Sequence, residues 1–596
     1  MLKDWKNRSM KIVIIQDGWY KASESMKEYL KQLFPQKING IDWCDYFNDF
    51  TKYNSKDGSK TYIFETEDKV CVEDNIYMDI TMIIKIDNRK KHNSHEWFMG
   101  KSGFGETMKA KYLFCTDAGT NFHNSCLYHL INKMDKNPSV SVTTGRARVM
   151  SKKQQGTNES MFSLSTLLRQ AQIFEFENVN SMYNGAFSLG GCLPVIPGPC
   201  GLYRASDILQ NSARDWYFNI VNQEPSQTGI VLGNLRIAED RILSYSVILK
   251  TEEERRMAFV PMAIFYFAAE LKIENLILQR RRWINGSIAG YIYLLFSNPE
   301  HLLRWKTNIF RKSYILLLLI CQFVTFCIVS FGPAFSISMF SFSFNYVFFN
   351  IKNNYVDIDT MTNIATAFAW ILFISHVFVH NKNRFHYTII YCLLAFSFIT
   401  TIMTFLTLLS YFLKQSSFTT LFMDMLFSGN VIIYLILLVT ILPFVLSLLI
   451  SGRGHSLIYM IKGFPSYLLF SHMLVSAFGS YSFSRTWDLT WGNRPNSVIE
   501  TNTNIMDTIK EKFSILSKSS VMFILLINGA VFFLPRLYQI GIVGLFFFIA
   551  FIQLFFSLIY LLLKIPEKLS YTYKYCTYKK PLEELEYDIE EINDED

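Results

Sequence analysis

Two short strings hold most of the chemistry this chain offers: Ala238-Glu239-Asp240-Arg241 and, further along, Gln279-Arg280-Arg281-Arg282-Trp283. Adjacent carboxylates can divide labour, with Asp240 taking a proton as general base while Glu239 and Arg241 orient it. A plain structural alternative is an acidic pair at a helix start, favoured by the helix dipole. Consecutive arginines suit a diphosphate, and the Trp283 indole offers a flat face to a sugar ring. Here the alternative is a basic face on anionic lipid with Trp as interfacial anchor. Together the strings supply a base, anion-binding groups and a stacking surface, which is what sugar transfer from a nucleotide donor needs.

Three further positions add to this set. Asp117 follows the apolar run ending at Cys115 and begins Asp117-Ala118-Gly119-Thr120; a carboxylate there can hold a divalent cation against a diphosphate, or simply form an Asp-x-Gly turn. Asp17 stands likewise after Lys11–Ile15, where a carboxylate accepts from a uracil or ribose group or starts an Asp-Gly turn. The late string Asp488-Leu489-Thr490-Trp491-Gly492-Asn493-Arg494 places Trp491 and Arg494 where they cap a channel or a diphosphate site, or form a surface turn.

These residues require elements to position them. Lys11–Ile15 reads as a buried strand and Ser23–Phe34 as the helix after it. Met78–Ile86 and Lys111–Cys115 repeat the strand, with Asn124–Asp135 as the following helix, so an α/β sheet with polar residues at its strand ends is expected. Between Ser188 and Arg204 the chain is too rich in Gly and Pro for helix and reads as a shaped loop around short strands. Residues 251–297 read as mostly helical, with Leu271–Asn285 amphipathic and suited to a membrane surface.

Of the 596 residues, 50% are hydrophobic and 16% aromatic, and the apolar excess is concentrated in Tyr314–Leu563. Spans are expected at 314–334, 364–380, 386–412, 431–450, 519–535 and 540–563. Lysines and arginines gather on alternate loops, which predicts an even number of spans with both termini on the cytosolic side. Pro465–Ala477 is placed at the interface. The domain reading is a catalytic domain over 1–250, interfacial helices over 251–312, a channel domain over 313–563 with the Trp491 loop within 451–518, and an acidic tail over 564–596. The net charge of +8 is scattered among acidic residues and clusters beside apolar segments, which argues against nucleic acid as a partner. The ten cysteines show no zinc-ligand spacing.

In this order the strings resemble chitin synthase, a processive family 2 glycosyltransferase. The resemblance also takes in Asn93-Ser94-His95-x-Trp97, Phe174-Glu175-Phe176, and Pro197-Gly198 with Tyr203-Arg204. It implies a GT-A-like cytosolic α/β domain followed by a helical multi-span membrane domain. It further implies UDP-N-acetylglucosamine as donor, Mg²⁺ or Mn²⁺ as cofactor, a nascent chitin chain and the lipid bilayer as partners, a homodimer, and the plasma membrane as location. By motif position it implies Asp117 as metal residue, Asp240 as base, and Trp283 with Gln279 at the acceptor. Asp17, Arg280, Arg281, Trp491 and Arg494 would meet the nucleotide, and Pro197, Gly198, Tyr203 and Arg204 would form the channel mouth. A cellulose- or hyaluronan-type synthase, and an inactive membrane scaffold or transporter, are the alternatives.

Overall fold

The computed structural model describes residues 10–19, 22–35, 37–38, 40–43, 61–65, 70–73, 76–224, 227–349, 357–414, 431–451, 455–491 and 503–566. The chain divides into two compact units, one formed by Met1–Lys109 with Arg494–Ile509 and the other by Ala110–Asn493 with Lys510–Asp596.

In the first unit, the apolar strand β1 (Lys11–Asp17) pairs in parallel with β4 (Ile76–Lys85), in the register Ile14↔Met82. Strands β2 (Thr61–Glu65) and β3 (Val70–Glu73) pair antiparallel with β4. Helix α1 (Glu24–Leu33) is capped by Ser23, whose side chain accepts from the Met26 N–H, and turns Leu30 into a core with Trp19, Trp43 and Met82. This is the expected βα start.

The second unit holds a five-stranded sheet in the order β5 (Tyr112–Cys115), β8 (Gly201–Arg204), β7 (Val140–Val149), β9 (Arg256–Phe267), β6 (Asn121–Phe122). Strand β8 is antiparallel to both β5 and β7, while β9 runs parallel to β7. The carboxyl ends of β5, β7 and β9 and the amino end of β8 therefore share one edge. Helix α2 (Cys126–Lys136) packs Cys126, Leu130 and Met134 onto this sheet. The strand β9 corrects the helical reading of residues 251–297. Its run Met257-Ala258-Phe259-Val260 is buried continuously, as in a parallel strand covered on both faces, so it shows no alternation. Pro261, which would break a central ladder, falls within the register shift between Val260 and Ile264.

After helix α3 (Leu164–Val179) and helix α4 (Glu239–Leu249), the long helix α5 (Ile273–Ile292) carries the arginine string. The expectation of a surface helix is overturned here: Arg280, Arg281 and Arg282 are all buried, along with Leu276, Ile277 and Leu278. The pattern of charges that suggested a solvated face belongs to internal ion pairs described below.

Five helices among the described residues are long and apolar enough to cross a membrane: Ile309–Val329, Ile358–Lys382, Tyr387–Ser410, Ser514–Phe533 and Arg536–Leu563. They mark the chain as a multi-pass membrane protein. The segment expected at 431–450 is the helix Val431–Ser451, apolar along its 21 residues with Pro443 inside it. Gly332–Phe349 is a further helix that the Ser/Phe-rich sequence concealed; its buried stripe Ser336, Phe340 and Ser343 follows helical spacing. The region expected to lie at the interface is part of helix α6 (His455–His472), followed by a π-helical turn at Met473–Phe478. Phe470 and Phe478 pack with Leu168 of α3, Ile277 of α5 and Ile390 of the third span. One apolar core thus joins the sheet-bearing part of this unit to its apolar helices.

Candidate functional site

Asp117 lies two residues beyond β5, in a turn closed by the Thr120 N–H on the Asp117 carbonyl at 3.3 Å, with Gly119 at φ +81°. That left-handed position is where glycine relieves the Cβ clash. Cys115 pairs with Gly201 at the start of β8, so the Asp117 turn and the Pro197-Gly198-Pro199-Cys200 loop share one sheet edge. The loop is tied by the Cys200 N–H on the Pro197 carbonyl at 3.0 Å. Pro197 and Gly198 are both half-buried.

Glu239 and Asp240 form the first turn of α4. Glu239 is buried, and Asp240 is half-buried. Asp240 Oδ2 accepts the Gly198 N–H at 3.2 Å, and the Ser244 hydroxyl donates to the Asp240 carbonyl at 2.6 Å. Tyr217 lies close to both carboxylates; burial first, then their negative charge, pushes its phenol well above the ordinary range. Of the two acids, the one with access to the loop is Asp240.

Arg241 does not pair with its acidic neighbours. Its guanidinium donates to the Pro194 carbonyl at 3.2 Å and to Ser287 Oγ at 2.6 Å. Ser287 in turn donates to the Trp283 carbonyl at 2.7 Å. One turn of α5 is thereby bolted to the start of α4. The two helices also approach closely at Gly286, where a Cβ would stand 2.4 Å from the Ala238 Cβ. Two strings far apart in sequence are locked into one local geometry.

Trp283 is half-buried. Its ring meets the edge of Phe176 at 6.0 Å and 87°, and Phe176 meets Phe267, the last residue of β9, at 4.4 Å. The Arg280 guanidinium sits over the Trp283 ring at 4.3 Å and donates to Glu175 Oε2 at 2.6 Å. Gln279 donates to Glu270 Oε1 at 3.3 Å.

Arg281 donates to the carbonyls of Asp488 and Thr490 and reaches Asp488 Oδ2 at 2.6 Å. The same carboxylate receives Arg485 at 2.7 Å, and Thr490 caps its other oxygen at 2.7 Å. Burial alone would raise the Asp488 carboxyl, yet Arg281 and Arg485 hold it well below the usual carboxylate range. Arg282 lies over the Trp491 ring at 5.1 Å. The string 487–491 is thus interior, with Trp487, Asp488, Leu489 and Trp491 buried. Arg494 lies outside the described residues.

Other expected residues have different surroundings. Tyr203 is buried within β8, and Arg204 donates to the Met134 and Val140 carbonyls at 3.0 and 2.9 Å. These contacts hold the far end of the short strand, opposite the edge that carries Pro197 and Gly198. Asp17, in the first unit, accepts from Lys85 Nζ at 3.0 Å and from the Arg89 N–H at 2.9 Å. Among the described residues, no three His, Cys, Asp or Glu side chains gather to hold a metal. Asp117 would offer a hard cation one carboxylate, with phosphate oxygens and water completing the set. Sequence reasoning gave no role to Glu175, Ser287 or Asp488. Glu175 and Asp488 stand within strings already singled out, and Ser287 lies one helical turn after Trp283.

Residues 2–298 match the family described as a chitin synthase-like glycosyltransferase domain. Over these residues, just under half of its length, the chain is similar to that glycosyltransferase family. The chain is 26% identical to chitin synthase 1 of Phytophthora sojae over 296 residues, 49% of this chain and 30% of that protein. It is 28% identical to chitin synthase 2 of Mycosarcoma maydis over 346 residues, 56% of this chain and 30% of that one. With chitin synthase 3 of Verticillium dahliae it shares 25% identity over 539 residues, 84% of this chain and 57% of the relative. The chain thus spans between about a third and somewhat over half the length of these relatives.

Proposed function

We propose that this chain is a glycosyltransferase of the chitin synthase kind, transferring N-acetylglucosamine from UDP-N-acetylglucosamine to the 4-hydroxyl of a growing β-1,4 chain with inversion. The observation that carries this reading is the Gly198–Asp240 contact beside the Arg241–Ser287–Trp283 connection, which ties the helix bearing Asp240 to the helix bearing the half-buried Trp283. The printed names of the relatives favour chitin over cellulose or hyaluronan as the product.

In this mechanism Trp283 stacks the terminal acceptor ring, with Gln279 beside it, and Asp240 receives the proton of its 4-hydroxyl. The acceptor oxygen bonds to the anomeric carbon as the bond from that carbon to the diphosphate breaks, and UDP departs with the electron pair. Asp117 would hold Mg²⁺ or Mn²⁺, which when bound offsets the charge developing on the diphosphate. Asp17 would meet the uridine, and Trp491 and Arg494 the diphosphate. Arg280 and Arg281, already paired with Glu175 and Asp488, would serve by fixing Trp283 and the Trp491 loop. Pro197 and Gly198 would line the entrance through which product leaves among the apolar helices. The enzyme would reside in the plasma membrane with its catalytic part in the cytosol.

The test is incubation of the purified full chain in lipid nanodiscs with UDP-N-acetylglucosamine and Mg²⁺. UDP release with an insoluble, chitinase-sensitive product supports the proposal. Turnover only of UDP-glucose or UDP-glucuronate, or of no sugar nucleotide, overturns it.

A further inference from the structure

Three consecutive residues of α3 each engage a different partner. Phe174 packs against Phe444, Phe464 and Tyr467, at 6.0, 5.4 and 4.6 Å between ring centres. Glu175 takes Arg280, and Phe176 meets the edge of Trp283. Phe174 anchors this stretch of helix, so the two neighbouring side chains are held in place by packing. Arg280 and Trp283 are three residues apart on α5 and therefore share a face. The guanidinium lies over one side of the indole, 4.3 Å from its centre, and 5.7 Å from the centre of the Phe176 ring.

A flexible arginine holds such a position only if something restrains its far end. The contact of Glu175 Oε2 with Arg280 Nη2, at 2.6 Å, is that restraint. We propose that Glu175 is a positioning residue of the acceptor subsite: through Arg280 it closes one face of Trp283, so that a sugar ring stacks only on the opposite face. This inference rests on the reading of Trp283 as the acceptor platform. It assigns the Phe174-Glu175-Phe176 string a task in orienting the chain end rather than in meeting the nucleotide. A diphosphate would have to displace Glu175 to recruit Arg280, whereas a neutral sugar on the opposite indole face leaves the ion pair intact.

The experiment compares the full-length wild type with Glu175→Gln, Arg280→Met, the double variant and Trp283→Phe, all in nanodiscs. Removing one partner alone leaves a buried charge and can impair folding; the double variant removes both. Two quantities are read: the Trp283-dependent fluorescence, taken as the difference from Trp283→Phe, and the apparent KM for an N-acetylchito-oligosaccharide primer alongside that for UDP-N-acetylglucosamine. In the folded double variant we expect a shifted Trp283 fluorescence and a primer KM raised by about fivefold or more, with donor KM changed by less than about twofold. Wild-type fluorescence and primer KM in the double variant would overturn the proposal. A wild type that makes no polymer from UDP-N-acetylglucosamine, with or without primer, would refute the synthase reading instead, and the fluorescence would still decide whether Glu175 and Arg280 fix the indole.

Discussion

The backbone N–H of Gly198 donates to Asp240 Oδ2 at 3.2 Å. A loop before strand β8 is thereby joined to the first turn of α4, and the half-buried acid faces a fixed donor. Replacing Gly198 by Pro removes this N–H; replacing it by Ala keeps it. Hydrogen bonds to a charged group contribute about 1.5–3 kcal/mol, so Gly198→Pro should lower kcat by roughly ten- to a hundredfold, with donor KM little changed. Gly198→Ala should stay near wild type. Steady-state UDP release measures both, and equal losses in the two variants would count against the amide's role.

Gly286 and Ala238 leave no space for an added methyl group, since a Cβ at Gly286 would stand 2.4 Å from the Ala238 Cβ. Gly286→Ala should destabilise the unit by about 1–3 kcal/mol and push Trp283 away from the Asp240 turn. The compensating double change, Gly286→Ala with Ala238→Gly, should recover most of the stability and polymer yield. Thermal unfolding and product yield measured together check this.

Asp488 binds both Arg281 and Arg485 and titrates well below the usual carboxylate range. A depressed folded pKa gives stability that is fully present above the unfolded carboxylate value, about 3.9, and is lost as pH falls through the folded value. Asp488→Asn should therefore cost about 3–5 kcal/mol, constant between roughly pH 5 and 8, with the gap to wild type narrowing only in stronger acid. Denaturant melts of both proteins across this pH range test the prediction. A gap that changed between pH 5 and 8 would show that another group controls it.

Asp117→Ala should weaken UDP-N-acetylglucosamine binding in Mg²⁺ while leaving the weaker binding in EDTA unchanged. Isothermal titration under both conditions separates loss of a metal-holding carboxylate from general damage to the turn. Equal weakening in both conditions would remove Asp117 from that role.

The sequence made some of this visible and hid the rest for physical reasons. Strands β1 and β4 are apolar runs ending at turn residues, and α1 and α2 carry ordinary helical periodicity, so each was legible locally. Strand β9 was not, because burial on both faces removes alternation and its central proline falls at a bulge. The arginines of α5 read as free to meet a diphosphate because their partners are remote: Glu175 is 105 residues from Arg280 in sequence, and Asp488 is 207 from Arg281. Arg241 had acidic residues directly before it, yet it turns to Ser287 because the close packing at Gly286 brings α5 within reach. Residue types and spacing pointed to a base, a cation cluster and an indole. Which of them face a ligand and which hold one another in place is set by tertiary contacts.

The central claim is that Asp240 accepts the proton of the acceptor hydroxyl, and Asp240→Asn in the full chain tests it most directly. With UDP-N-acetylglucosamine and Mg²⁺, the account predicts nucleotide affinity close to wild type and chitinase-sensitive polymer reduced by about 10²–10⁴-fold. Polymer synthesis within a few-fold of wild type would contradict it.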